Sequence, residues 1–268
     1  MKFDDLDAKM RVFETAHDHC VLPGIYIVVR LDGRGFTRLT KDVHKFEAPF
    51  DERFRDLMTH TTTALMESGF RTVYGYAQSD EISLLLHRDE SSFARKERKL
   101  NSLLAGEASA AFSMRLGAVG VFDSRVCQLP DRELVRDYFR WRHEDAGRNA
   151  LNSHCYWIQR REGASVKDAT SRLRGMSVAA KNEFLFQRGI NFNDIPAWQK
   201  RGVGVYWETV TKEAVNRKTG EPVTAERRAL RVDLELAKGD AYGEFVLSLI
   251  AESEGTTKAP AAPSRRKR

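Results

Sequence analysis

The sequence predicts an α+β protein built on an antiparallel β-sheet with helices on one face, followed by a C-terminal α+β extension. Apolar runs of strand length and amphipathic runs of helix length follow one another in the order β, α, β, β, α, β within residues 1–136. This split order is typical of ferredoxin-like sheets. The chain has 268 residues, 41% of them hydrophobic, which is sufficient for a large core.

The strands and helices of this unit are predicted from local patterns. Residues 25–31 (IYIVVRL) are rich in β-branched side chains and lie between turn residues, which indicates a buried strand. The polar residues 78–81 separate two further apolar runs and are typical of a hairpin turn. The other predicted elements are a helix over 51–68, hairpin strands over 72–77 and 82–86, a helix from 92 to about 115, and a strand over 119–129.

The pattern is less regular in the second half of the chain. Asp131 is placed to cap a helix, and Ser177 is placed to cap another that ends before Gly189. Residues 203–210 and 231–236 resemble the two strands of a hairpin. We therefore predict an N-terminal unit over residues 1–136, a C-terminal region over 137–251 and a disordered basic tail over 252–268.

The positive charge is concentrated at the C-terminus. Lys and Arg number 44 against 38 Asp and Glu, a net charge of +6, and five of these basic residues lie within 258–268. The rest of the chain is nearly neutral, so overall basicity is weak evidence for a nucleic-acid partner. Three widely spaced cysteines, no apolar signal core and no membrane-length apolar run predict a cytoplasmic protein.

Carboxylates follow strands at two places in the predicted sheet. Asp32 ends the first strand, and Asp80 and Glu81 lie at the hairpin. If these strands are neighbours, three carboxylates converge on one edge, where they would suit Mg²⁺ and phosphoryl or nucleotidyl transfer, with the Gly33 carbonyl as a further ligand. The alternative is that Asp32-Gly33 is a simple turn and Asp80 a hairpin tip.

Basic and aromatic residues near these carboxylates would suit a triphosphate and a nucleobase. Taken singly, each basic residue is more typical of a solvated surface, whereas the set beside paired carboxylates favours phosphate binding. Phe36 and Phe46 could stack on a base, although aromatic residues beside a sheet are also typical of the core. The basic residues are Arg30, Arg34, Arg38, Arg95, Lys96, Arg98 and Lys99.

Residues 30–36 (RLDGRGF) and 76–83 (YAQSDEIS) resemble the two metal-binding motifs of the tRNA(His) guanylyltransferase family. Further blocks resemble the family in its own order, and the resemblance covers roughly residues 5–250. These blocks are residues 122–125 (FDSR), 138–142 (YFRWR), 175–183 (GMSVAAKNE) and 189–196 (GINFNDIP).

The resemblance implies that residues 1–136 form a palm-like catalytic domain that adds nucleotides to a tRNA 5′ end in the 3′-to-5′ direction. In this scheme ATP activates the 5′-monophosphate, and the 3′-hydroxyl of GTP or another nucleotide then attacks the activated end. It implies that Asp32, the Gly33 carbonyl and Asp80 hold two Mg²⁺ ions and that Glu81 supports them. A homotetramer is implied as well.

The resemblance also assigns binding roles position by position. The nucleotide-binding positions are Arg30, Arg34, Gly35, Phe36, Thr37, Lys45, Phe46, Ser79, Lys96 and Lys99. The positions implied to contact tRNA or a second nucleotide are Asn149, Lys181, Asn182 and Asn193.

Departures from the family pattern indicate a subgroup. Residues 147–150 (GRNA) replace the His-Ile-Asn-Asn of eukaryotic members, Ala48 replaces a Lys, and Thr37 replaces a His. These changes resemble the guanylyltransferase-like proteins, which repair truncated tRNA 5′ ends with the opposite strand as template. The alternatives are non-templated G addition to tRNA(His), a palm-fold nucleotide cyclase and a non-catalytic RNA-binding protein.

Overall fold

The computed structural model describes residues 2–215 and 222–255. Its centre is a sheet of six described strands in which each neighbouring pair is antiparallel. The strands are β1 (Tyr26–Gly33), β2 (Thr72–Gln78), β3 (Glu81–Leu86), β4 (Phe122–Leu129), β5 (Val203–Val215) and β6 (Pro222–Asp233). Their order is β4-β1-β3-β2-β5-β6, whose first four positions have the ferredoxin-like order. The predicted α+β class is confirmed.

Helices connect and cover these strands. They are α1 (Phe3–Thr15), α2 (Phe36–Arg38), α3 (Glu52–Met66), α4 (Glu97–Leu116), α5 (Arg132–Arg161), α6 (Val166–Leu173), α7 (Val178–Phe186), α8 (Ala197–Arg201) and α9 (Asp240–Gly255). The predicted cap of α5 is present, because the Asp131 side chain accepts a hydrogen bond from the Leu134 N–H at 2.8 Å. No helix in the described part of the chain is long and apolar enough to cross a membrane.

The sheet is buried on both faces, which explains the continuous apolar run of β1. Ile27 and Val29 belong to one core cluster with α3 and α4, the two helices of the βαββαβ unit. Tyr26 and Val28 point to a second cluster, formed with α5 and α9. The palm-like unit therefore has its own helices on one face, as predicted, and the C-terminal extension covers the other.

Several predicted boundaries differ from the structure. The helix predicted from residue 92 begins at Glu97, because Phe93, Ala94 and Arg95 have positive φ angles of 54°, 53° and 57° and form a separate short turn. The strand predicted from residue 119 begins at Phe122. Local patterns locate element ends less well than element centres, because the end depends on what the next segment packs against.

The C-terminal region extends the palm-like sheet. The predicted boundary near residue 136 falls inside α5, and β5 pairs directly with β2. β5 and β6 form the predicted hairpin, but the second strand was predicted over 231–236 and β6 spans Pro222–Asp233, so the two share only residues 231–233. Residues 216–221 between the strands lie outside the described residues. Helix α9 ends at Gly255, so it includes residues 252–255 of the predicted tail; residues 256–268 lie outside the described residues.

His143 gives a prediction about acid stability. Its ring is 6% exposed and stacks on Tyr242 at 4.2 Å, and burial lowers its pKa from 6.5 to about 4. The unfolded chain therefore binds a proton more readily than the native one between these values. We expect full stability above pH 6.5 and a loss of up to about 3 kcal/mol as the pH falls from 6.5 to 4.

Urea unfolding followed by circular dichroism at pH 7, 5.5 and 4.5 measures this loss. His143→Gln should flatten the pH dependence, whereas the exposed His60→Gln should leave it as in the wild type. An unchanged slope in His143→Gln would contradict the assignment.

Candidate active site

The sheet brings Asp32 and the hairpin turn together, as the sequence predicts. Asp32 at the end of β1 lies opposite Glu81 of β3 and Asp123 of β4. The Gly33 N–H donates a hydrogen bond to the Asp80 carbonyl at 2.9 Å. The two motifs therefore meet at one edge of the sheet, although they lie far apart in the chain.

Asp80 occupies the turn between β2 and β3. The hydroxyl of Ser79, which has a φ of +54°, donates to the Asp80 carboxylate at 3.1 Å. Burial raises the pKa of Asp80, and the nearby Asp32 carboxylate raises it further. Neither aspartate forms an ion pair with another described residue. Arg30 acts on both carboxylates only from beyond ion-pair distance, so they are suited to a divalent cation.

Glu81 is arranged differently from the other two carboxylates. It forms ion pairs with Arg30 and Arg142, and Arg142 is only 6% exposed. Two guanidinium groups thus neutralise Glu81 and connect β3 to α5. The structure does not place three free carboxylates together, and Arg30, implied to bind nucleotide, is engaged by Glu81.

The residues at this edge fit a cation that takes most of its ligands from water and substrate and few from the protein. Within residues 2–215 and 222–255, no three Asp, Glu, His or Cys side chains converge to hold a metal ion. Mg²⁺ typically uses one or two carboxylates and completes its shell with water and substrate phosphates. A side chain at Gly33 would meet the Phe36 ring at 2.6 Å, so the backbone here requires glycine.

A cavity of about 270 Å³ opens beside Asp80. Its walls come from the β2–β3 turn, the segment before α3, and helices α3, α5 and α8. The lining residues are Phe36, Thr37, Thr40, Lys41, Phe46, Glu47, Ala48, Pro49, Phe50, Asp51, Phe54, Arg55, Met58, Ala77, Gln78, Ser79, Asp80, Ser153, Trp157, Trp198 and Val203. Aromatic side chains predominate among the larger residues, as is typical of sites that bind a planar ring.

Two cations lie over tryptophan rings in this lining. The Lys41 Nζ is 5.3 Å from the centre of the Trp157 ring, and the Arg55 guanidinium is 4.9 Å from that of Trp198. None of these four residues was predicted from the sequence. They come from four separate segments, so no local spacing connects them, and only the tertiary structure brings each cation over its ring.

Asp51 shapes the cavity wall. Its carboxylate caps α3 through the Arg53 N–H at 2.7 Å and accepts the Glu47 N–H, also at 2.7 Å. The Arg53 side chain also donates to this carboxylate and has the largest effect on it. Together with the two N–H groups, it lowers the pKa of Asp51 to about 2. Arg161 of α5 donates to the Ala48 carbonyl. The segment before α3 is thus anchored at both sides of the cavity.

The two predicted aromatic residues have different surroundings. Phe36 is 2% exposed, with its ring centre 4.9 Å from Phe112 and 5.0 Å from Phe122, so most of it is core. Phe46 is half-buried and packs against Phe54 at 5.6 Å. Both border the cavity, but Phe36 has little free surface for a stacked base.

The other nucleotide-binding positions that the family resemblance implies near β1 lie at the rim of the cavity or outside it. Thr37 and Ser79 are exposed and line the cavity. Arg34 and Gly35 are exposed beside β1, where the Arg34 N–H donates to Val121 at 2.8 Å. Lys45 is exposed with a φ of +49° and is not part of the lining.

The structure does not bring Lys96 and Lys99 to the carboxylates. Lys96 precedes α4 and pairs with Asp18, while Lys99 lies 5.9 Å from the Phe93 ring. The neighbouring Glu97 accepts a hydrogen bond from Gln128, five residues along β4 from Asp123. Five residues span roughly 16 Å along a strand, so the start of α4 lies well away from the carboxylate edge.

The implied tRNA contacts belong to the C-terminal region, and none of them lines the cavity. The Asn149 amide on α5 donates to Asp145 at 3.2 Å, and that of Asn182 on α7 donates to the Val178 carbonyl at 2.9 Å. Lys181 is half-buried on α7, and Asn193 is exposed in a short turn.

Arg95 has a structural role in place of the phosphate contact that the sequence favoured. It is 7% exposed, and its guanidinium donates to the carbonyls of four residues. These are Val21, Ile25, Arg88 and Glu90. We expect Arg95→Met to lower the free energy of unfolding by at least about 3 kcal/mol, because several buried carbonyls lose their donor.

Chemical unfolding measures this loss, with the half-exposed Arg98→Met as the matched control that should lose less than about 1 kcal/mol. Nucleotide affinity of folded Arg95→Met, measured by calorimetry, should remain that of the wild type. A selective loss of nucleotide affinity without loss of stability would contradict this role.

Comparison with protein families identifies the chain. The family model described as tRNAHis guanylyltransferase matches residues 7–130, and the Thg1 C terminal domain matches residues 133–238. The chain belongs to the tRNAHis guanylyltransferase family. Its members are 3′-to-5′ nucleotidyltransferases that act on tRNA 5′ ends, and this chain is such an enzyme.

Relatives from animals and fungi match most of the enzyme. The probable tRNA(His) guanylyltransferase of Drosophila melanogaster is 34% identical over 195 residues, covering 69% of this chain and 68% of that protein. The tRNA(His) guanylyltransferase of Debaryomyces hansenii is 30% identical over 241 residues, covering 85% of this chain and 91% of that protein.

Solved structures share the fold. The crystal structure of the Saccharomyces cerevisiae tRNA(His) guanylyltransferase has a TM-score of 0.68 and 28% identity, covering 76% of this chain and 93% of that one. A bacterial guanylyltransferase-like protein in complex with GTP has a TM-score of 0.69 and 26% identity, covering 92% of this chain and 99% of that one. The palm-like architecture is thus shared by the enzyme.

Proposed function

We propose that this enzyme repairs truncated tRNA 5′ ends by Mg²⁺-dependent, template-directed addition of nucleotides. The proposal rests on two carboxylates, Asp32 and Asp80, that form no ion pair with a described residue, and on an aromatic cavity that includes Asp80. The cavity is suited to the base of a nucleotide, and the carboxylates are suited to the cations that accompany its phosphates.

Asp32, Asp80 and the Gly33 carbonyl would hold two Mg²⁺ ions. These ions would make the attacking hydroxyl more acidic and stabilise the leaving phosphate. The chain itself fixes the ligand positions: the Gly33 N–H to Asp80 carbonyl bond joins the two motifs, and Phe36 packs on Gly33. Glu81 positions this edge through Arg30 and Arg142 and does not act as a free ligand.

The cavity would take the purine of ATP or GTP. Phe46, Trp157 and Trp198 supply ring surfaces, and Lys41 and Arg55 supply positive charge beside them. Thr37 and Ser79 offer hydroxyls at the rim. Binding at this position places the phosphates toward Asp80, where the cations would be held.

We assign catalysis to residues 1–136 and tRNA contacts to residues 137–251, including Asn149, Lys181, Asn182 and Asn193. Support comes from the exposure of Asn193 and from the absence of these four residues from the lining of the nucleotide cavity. A homotetramer and a cytoplasmic location complete the proposal; the described cysteines are all unpaired, which fits a reducing compartment.

Template dependence is proposed from residues 147–150, which lie on α5 and lack the eukaryotic His-Ile-Asn-Asn. The test is extension of a 5′-truncated, 5′-labelled tRNA with ATP, Mg²⁺ and each nucleotide in turn. We expect only the nucleotide complementary to the opposite strand to be added, and the preference to change when that template base is changed.

Different outcomes contradict different parts of the proposal. Addition of G whatever the template base would favour non-templated addition to tRNA(His). Nucleotide turnover without tRNA would favour a cyclase, and RNA binding with no Mg²⁺-dependent product would favour a binding protein. Asp32→Ala should abolish every product while leaving the circular dichroism spectrum unchanged.

A further inference from the structure

Helix α1 carries an exposed apolar stripe. Phe3, Leu6, Met10 and Phe13 are 78%, 42%, 53% and 72% exposed, and α1 has no buried residue. Their spacing of three, four and three residues is that of the a and d positions of a heptad repeat, so they lie along one side of the helix. Aligned apolar side chains of this kind mark an interaction surface.

The charges beside the stripe specify its partner. With Phe3 and Met10 at a positions, Lys2 and Lys9 fall at g, and Asp7 and Glu14 fall at e. In a parallel helix pair, each g residue faces the e residue five positions later in the other helix. Lys9 would therefore face the partner's Glu14, and Lys2 the partner's Asp7, twice each by symmetry.

An antiparallel pair of the same helices would be unfavourable. There g faces g and e faces e, so lysines would meet lysines on one side and acidic residues would meet acidic residues on the other. The pattern therefore selects both a second copy of this chain and a parallel orientation.

These charged groups are accessible for such contacts. Lys2, Lys9 and Glu14 form no ion pair with another described residue, and Asp7 pairs only with Arg11 of the same helix, at 2.9 Å. Arg11 lies at a b position, on the outer side of α1, and its side chain is 62% exposed. It can keep its bond to Asp7 while the stripe is covered.

We propose that α1 pairs in parallel with α1 of a second copy of this chain as a two-heptad coiled coil. Two heptads are too short to hold two chains together alone, because helices of this length are marginal without further packing. The α1 pair is therefore one part of a larger interface between two chains. The proposal refines the homotetramer of the proposed function and rests on it for the remaining interface.

Disulfide trapping tests the geometry in the full chain. Leu6→Cys, made together with Cys20→Ser, places a thiol at a d position, and d residues of a parallel pair lie side by side. We expect a covalent dimer after mild oxidation. Val12→Cys, on the outer side of α1, is the matched control and should yield little; equal yields from the two variants would overturn the proposal.

A charge exchange tests the orientation. Lys9→Glu should raise the dissociation constant of the assembly roughly tenfold in sedimentation experiments, because two attractive contacts become repulsive. Adding Glu14→Lys to Lys9→Glu should restore it. Failure of the second change to restore association, or a wild-type chain that stays monomeric, would overturn the pairing.

Catalysis provides an independent readout of the same proteins. A chain that cross-links through Leu6→Cys but extends no tRNA contradicts the proposed function and supports the pairing. A chain that extends tRNA but does not cross-link contradicts the pairing and supports the proposed function. The two proposals can therefore fail separately.

Discussion

Asp80→Asn is expected to reduce nucleotide addition to a tRNA 5′ end by about 10³-fold or more. The substitution keeps the shape of the side chain and removes a charge that would hold a cation, and loss of such a ligand typically costs several kcal/mol of transition-state stabilisation. Single-turnover extension of a labelled 5′-truncated tRNA, across a range of Mg²⁺ concentrations, measures the effect.

Asp123→Asn is the matched control for this change. Asp123 lies opposite Asp32 on β4, but its side chain is 64% exposed, lies 3.9 Å from Arg125 and is not part of the cavity lining. We expect its loss to reduce the rate less than about tenfold. Comparable losses in both variants would show that general negative charge at this edge, and not ligation by Asp80, supports the reaction.

Arg142→Met is expected to lower the free energy of unfolding by about 3 kcal/mol, because a nearly buried cation is lost while Glu81 keeps Arg30 as a partner. The Arg142 guanidinium contacts Glu81 and lies 3.4 Å from Asp145, and only 6% of the residue is exposed. Its removal leaves Glu81, at the start of β3, paired with Arg30 alone among the described residues, and removes the cation beside Asp145. Urea unfolding followed by circular dichroism measures the loss.

Arg140→Met is the control on the same helix. Arg140 is one-third exposed and pairs with Glu144 at 3.7 Å and Asp240 at 3.1 Å, so its loss should cost less than about 1 kcal/mol. Combining Arg142→Met with Glu81→Gln should cost less than the sum of the two single changes. Strict additivity would mean that Arg142 stabilises the enzyme without its ion pair to Glu81.

Much of the fold follows from short-range patterns. The β1 run, the hairpin 72–86 and the cap at Asp131 were predicted because each depends on residues adjacent in the chain. Helix α1 was not predicted, although its heptad spacing is present in the sequence; its apolar residues are few and lie among charged ones. The left-handed turn at residues 93–95 has no sequence signal such as glycine.

The amino-acid sequence was sufficient to identify the family and the two carboxylate motifs, because both depend on residue types at fixed spacing along the chain. Convergence of the motifs at one edge was conditional on the pairing of β1 with β3, which the structure shows. The pairing of Glu81 with Arg30 and Arg142, the buried position of Arg95, and the place of Trp157 and Trp198 in the cavity lining became visible in the folded chain. The physical reason is that partners of buried charges and rings come from distant segments, and their choice depends on how helices pack on the sheet.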